Sequence, residues 1–123
     1  MAEYVPLFKP GEDITMTAGA AITGGELVYV SGPRTVQKTA GAVDDWLGVA
    51  RQDTASGEQV AITSGGVQEV AVAAAVAPGD VLIPAASGRV TPIAAGTNYA
   101  QVVGIALTAQ STVGQTAYVR FVR

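Results

Sequence analysis

Val67-Gln68-Glu69-Val70-Ala71-Val72-Ala73-Ala74-Ala75-Val76-Ala77 is the longest stretch of the 123-residue chain without glycine or proline. Its alanines, taken by composition, favour helix. Its valines favour strand: Val70, Val72 and Val76 fall on one side of a period-2 alternation, whereas the apolar stripe of a helix recurs at i, i+3 and i+4. Everywhere else a glycine or proline intervenes sooner, which leaves no room for an ordinary helix of three uninterrupted turns.

Outward from this window the apolar runs are short and bracketed by turn residues. Leu27–Val30 follows Gly24-Gly25, and Leu47–Ala50 precedes Asp53. Gln59–Thr63 runs into Ser64-Gly65-Gly66 and from there into Val67. Val81–Ile83 follows Pro78-Gly79-Asp80, where proline presets φ and glycine accepts a positive one. Val102–Leu107 and Thr116–Val122 complete the set. On the order of eight short strands with glycine-rich corners predict an all-β fold, a small barrel or sandwich.

An internal repeat sharpens that expectation. Ala21-Ile22-Thr23-Gly24-Gly25-Glu26-Leu27-Val28 aligns with Ala75-Val76-Ala77-Pro78-Gly79-Asp80-Val81-Leu82 at an offset of 54. Arg34-Thr35-Val36 then falls beside Arg89-Val90 after a one-residue gap. Leu47-Gly48-Val49-Ala50 matches Val103-Gly104-Ile105-Ala106 at offset 56, and Gly57–Ile62 matches Gly114–Val119 at offset 57. Two copies of one strand-turn-strand unit, about 20–63 and 74–120, are expected to interlock around a shared core. Residues 17–123 thus read as a single β domain, and 1–16 as an extended N-terminal arm.

The arm differs in kind from the body. Tyr4-Val5-Pro6-Leu7-Phe8-Lys9-Pro10 holds two prolines, which forbid helix and push their predecessors to extended conformations. Tyr4, Leu7 and Phe8 give it adhesive side chains. It either docks as a strand on its own domain or docks on something else.

The chemical inventory is sparse. With no Cys and no His there is no disulfide framework, thiolate nucleophile, zinc finger, Ser-His-Asp relay or facial metal triad. The net charge is −3 and the seven cations are scattered, so no basic stripe exists for a nucleic-acid backbone. Residues 1–10 lack the apolar core of a signal peptide, and the uncharged stretch from Val90 to Val119 is interrupted too often to span a membrane. Asp44-Asp45 is an adjacent carboxylate pair, but neighbours in extended chain face opposite ways and only Asp53 lies near, so a solvated loop is expected and no metal site. Gly24-Gly25 and Gly65-Gly66 lack the frame of a phosphate loop, and Ser56-Gly57 and Ser87-Gly88 that of a nucleophile elbow. Trp46, the lone tryptophan, reads as core packing or as a subunit interface. All ten acids lie in residues 1–80, whereas 81–123 hold three bases and no acid, an asymmetry suited to contacts between subunits.

Tyr4-Val5-Pro6-Leu7-Phe8-Lys9-Pro10-Gly11 with Ile14-Thr15, then Gly25-Glu26-Leu27-Val28, and the paired Leu47–Ala50 and Val103–Ala106 segments resemble small tailed-bacteriophage head-decoration, or capsid cement, proteins. That resemblance implies a β-clip or β-tulip body that forms homotrimers on the outer surface of the phage head. It also implies attachment after capsid expansion, a fastening of neighbouring major capsid protein subunits, and stabilisation of the expanded capsid. Tyr4, Val5, Pro6, Leu7, Phe8 and Pro10 are the positions such a capsid-binding arm would use. No cofactor, catalytic residue, nucleic acid or membrane is implied. The alternative is a non-catalytic glycan- or ligand-binding β module on a virion or cell surface; an enzyme relying on carboxylates alone ranks below both.

Overall fold

The computed structural model describes Tyr4, Leu7, Phe8 and residues 11–123. Ten strands appear there and no α-helix: β1 Ile14–Ala18, β2 Leu27–Gly32, β3 Thr35–Lys38, β4 Trp46–Ala50, β5 Gln59–Thr63, β6 Val67–Ala71, β7 Val81–Ala85, β8 Arg89–Pro92, β9 Gly104–Ala106 and β10 Thr116–Phe121. The fold is all-β, as the glycine-punctuated runs predict.

The first five strands close into a barrel in the order β1-β3-β2-β4-β5, and the last five form a sheet in the order β6-β10-β9-β7-β8. Read from its other end, the second sheet runs β8-β7-β9-β10-β6, the same cyclic order. Parallel pairing of Thr17 with Thr35 closes the first unit, and a parallel bridge from Val72 to Val90 returns β6 toward β8 in the second. Individual hydrogen bonds recur as well. Gly25 donates to the Ala50 carbonyl and Gly79 to that of Ala106, both at 2.8 Å. Ile22 donates to Thr54 and Val76 to Gln110, both at 2.9 Å. The turns into β2 and β7 match down to the side chain: Gly25 and Gly79 both have φ of 91°, and Glu26 and Asp80 each accept the backbone N–H three residues earlier.

Three boundaries differ from the sequence reading. Strand β1 begins at Ile14, inside the stretch assigned to the arm, and pairs antiparallel with β5 from Ile14↔Ile62 to Thr17↔Gln59. Its inward positions are the modest Met16 and Ala18 and its outward ones threonines, so it shows no strong apolar run. Because β1 and β6 start their sheets, the units span 14–63 and 67–121 instead of 20–63 and 74–120. The eleven-residue window is strand only to Ala71; the chain then bends at Ala73-Ala74, and Ala73 donates to the Val90 carbonyl at 2.8 Å.

One core fills the first barrel, built on Met16, Ile22, Val28, Val36, Val60 and Ile62. A second joins Leu27, Trp46 and Val49 of the first unit to the inner residues of the second, among them Val70, Leu82, Val90, Val119 and Phe121. The β2–β4 wall is therefore buried on both faces, with Val28 and Ala50 inward and Leu27 and Val49 against the second unit. Doubly buried strands read as continuous apolar runs, which accounts for Leu27-Val28 and Val49-Ala50. At this seam Thr39 is fully buried, and its hydroxyl donates to the Ala85 carbonyl at 2.7 Å.

Candidate functional site

Tyr4 and Leu7 are 88% and 81% exposed, and Phe8 is half-buried. Val5, Pro6 and Pro10, the other expected docking positions, lie outside the described residues. Where this segment meets the body, Asp13 is tied from two sides. Arg51 Nη1 donates to its Oδ2 at 2.6 Å and the Thr63 hydroxyl to its Oδ1 at 2.9 Å. The hydrogen bond from Arg51, then that from Thr63, lowers the Asp13 carboxyl below its usual range despite some opposing desolvation. An ionic contact thus fixes the point from which the apolar segment departs.

Trp46 opens β4 and is only 3% exposed. Its ring meets Phe121 edge-on, with centroids 5.7 Å apart and planes at 82°. The Arg123 guanidinium lies 4.2 Å above the ring centroid and donates to the Asp44 carbonyl at 2.7 Å. Trp46 is thus buried at the joint between the chain's own halves. Beside it, Val30, Leu47, Ser64 and Asp45 line a shallow pocket of about 390 Å³ that Arg123 borders.

The carboxylates do not converge. Asp53 accepts the Gly24 N–H at 2.8 Å, and no group of three or more metal-ligating side chains comes together among the described residues. No helix there is long and apolar enough to cross a membrane. What the sequence reading missed is an apolar outer wall on the second unit, where Ile105 and Tyr118 stand 42% and 49% exposed on adjacent strands. Superposing the two repeat units residue by residue would have revealed it.

Such an arrangement offers contact surfaces. The sequence matches the phage cement protein family over residues 8–121, which is nearly the whole β body. The chain belongs to the phage cement protein family. As a phage cement protein it is a structural component associated with the virion capsid. Its fold is similar to that of the head fiber gp8.5 N base of bacteriophage phi29 in the crystal, with a TM-score of 0.66 and 21% identity over 89% of this chain and 92% of that one. None of the curated proteins matches it. The family match covers both repeat units and ends at Phe121, the partner of Trp46. It begins at Phe8, so Tyr4 and Leu7 lie just outside it.

Proposed function

We propose that this phage cement protein is non-catalytic and binds the outer surface of the phage head as a trimer. There it fastens neighbouring major capsid protein subunits and stabilises the expanded capsid. The observation that carries this reading is the exposure of Tyr4 and Leu7 ahead of a body that already closes its first barrel without them. Apolar side chains held outside a completed core are available to a partner.

Attachment works by mass action. A contact made only with the expanded lattice stabilises that lattice over its precursor by an amount that grows with the logarithm of protein concentration over dissociation constant. An extended segment adds strand hydrogen bonds and side-chain burial together. Burying Tyr4 and Leu7 contributes on the order of 1.5–3 kcal/mol each before ordering costs.

Deleting residues 2–10 tests this directly. The deletion leaves Asp13 tied to Arg51 and Thr63, so the body is expected to keep its circular dichroism and melting temperature. Co-sedimentation with expanded capsids lacking the protein should weaken by orders of magnitude. A truncated protein that folds and still decorates capsids with unchanged affinity overturns the role of the segment.

A further inference from the structure

The two repeat units share topology but treat their outer walls differently. In the second unit one row runs across four strands to the residue after β8: Val67 pairs with Arg120, Arg120 with Ile105, and Ile105 with Val81, whose carbonyl accepts the N–H of Ile93. Four of these five side chains are apolar, with Val67 56% and Ile105 42% exposed. In the neighbouring row Leu107 donates to the Tyr118 carbonyl, and both side chains are exposed.

At the positions that match the start of β6 and the residue after β9, the first unit is polar instead. Arg51 donates to the Ala61 carbonyl as Leu107 does to Tyr118, which matches Arg51 to Leu107. Register likewise matches Asp13 to Val67 and Thr63 to Arg120. Where the first unit places the Asp13–Arg51–Thr63 cluster, the second places Val67, Leu107 and Arg120. The exposed Val67 and Leu107 are therefore not a by-product of the fold.

A second equivalence says what covers it. Leu27 pairs with Val49 in the first unit as Val81 pairs with Ile105 in the second. Leu27 and Val49 are buried, because the other unit of this same chain packs on them. Val81 is only half-buried and Ile105 is exposed, so the corresponding face lacks its cover in one chain. Charge favours the same occupant. Residues 11–66 hold seven acids and three bases, a net −4, whereas 67–123 hold two acids and three bases, a net +1. Arg120 at the centre of the apolar row suits an acidic neighbour.

We propose that a second copy of this chain covers the wall formed by Val81, Ile105 and Tyr118, packing the acidic first unit of one copy on the second unit of the next. Contacts between unlike patches of this kind close into rings where the rotation between copies closes, and otherwise run on as filaments. The inference names the contact that the trimer reading leaves open and rests on that reading for the number of copies.

Light scattering on the full chain without capsids, compared with the 12.4 kDa of one chain, is the test. The wild-type chain should have a multiple of that mass. Ile105→Glu and Tyr118→Lys should each reduce it to a single chain while leaving the circular dichroism spectrum unchanged. Tyr118→Lys sets a cation opposite Glu69 on β6 and is compatible with the strand even if Ile105→Glu does not fold. A wild-type chain that stays at 12.4 kDa, or folded variants that keep the wild-type mass, overturns the inference. Wild-type binding to capsids, measured alongside, separates the two ideas: decoration with unchanged variant masses removes only the self-association face, and dissociating variants without decoration remove only the capsid reading.

Discussion

Trp46 of β4 and Phe121 of β10 meet edge to face with centroids 5.7 Å apart, across the joint between the two repeat units. The contact joins the start of a first-unit strand to the end of the last second-unit strand, and Arg123 closes over the ring. Replacing a buried aromatic of this size by alanine costs about 3–5 kcal/mol. Trp46→Ala should lose stability in that range in urea unfolding. Trp46→Phe should lose much less, because it also removes an Nε1–H that is buried without an acceptor. Similar losses for the two variants would mean that the indole contributes through something other than this packing.

Gly48 and Gly104 share a constraint. A Cβ on Gly48 would collide with the Thr63 carbonyl oxygen, and one on Gly104 with that of Arg120. Both neighbours are backbone atoms of the adjacent strand and cannot turn aside as a side chain would. Gly48→Ala and Gly104→Ala are each expected to destabilise by about 1–3 kcal/mol, the usual range for overpacking. Gly41→Ala is the control, with nothing within 4 Å of its Cβ and no positive φ. It should be neutral or slightly stabilising in the same thermal melts.

These glycines show how far the sequence could be read. Their repetition in Leu47–Ala50 and Val103–Ala106 was visible, and so were the turns Gly24-Gly25 and Pro78-Gly79, because each is a local backbone requirement. Strands β1, β3 and β8 were not, since Thr15, Thr17, Gln37 and Arg89 dilute their apolar periodicity. The bend at Ala73-Ala74 has no marker, as alanine tolerates strand and bend alike. For the segment holding Tyr4 and Leu7 the sequence left two readings open, docking on its own domain or on something else, because its prolines and apolar side chains suit either. The neighbour of Trp46 was not, because nothing local couples β4 to a phenylalanine at the far end of the chain.

Asp13 links the segment before β1 to the barrel, and its contribution depends on pH. Its carboxyl is lowered in the folded protein, chiefly by the Arg51 hydrogen bond and then by Thr63. Ionised Asp13 therefore stabilises the fold above its ordinary value of 3.8, and that stabilisation is lost as pH falls through the lower folded value. The difference in melting temperature between wild type and Asp13→Asn should shrink as pH is taken from 7 to below 3.8. Salt at neutral pH should shrink it too, because the Arg51 side chain is largely exposed. A difference that stays constant across the acid range would show that the carboxylate charge plays no part.

Thr39 makes the hydroxyl contact across the seam. Its Oγ1 donates to the Ala85 carbonyl at 2.7 Å, its N–H donates to Leu27, and its carbonyl accepts from Gly88. With the Leu27 N–H bonded to the Gly88 carbonyl, Leu27, Thr39 and Gly88 form a closed set between β2 and the β7–β8 turn. Thr39→Val keeps the shape and the backbone bonds but removes the hydroxyl donor from a fully buried site. Loss of the donor to a buried acceptor costs about 1–3 kcal/mol, more than the approximately 1 kcal/mol that an average hydrogen bond contributes. Thr39→Ser keeps the hydroxyl and loses only a methyl group, which costs about 1 kcal/mol with its small cavity. Valine should therefore be the more damaging replacement although it fills the site better, an order opposite to that of packing alone. If chemical denaturation ranks serine below valine in stability, the methyl contacts outweigh the bond to Ala85 and the seam is held by apolar packing around Leu27 and Leu82.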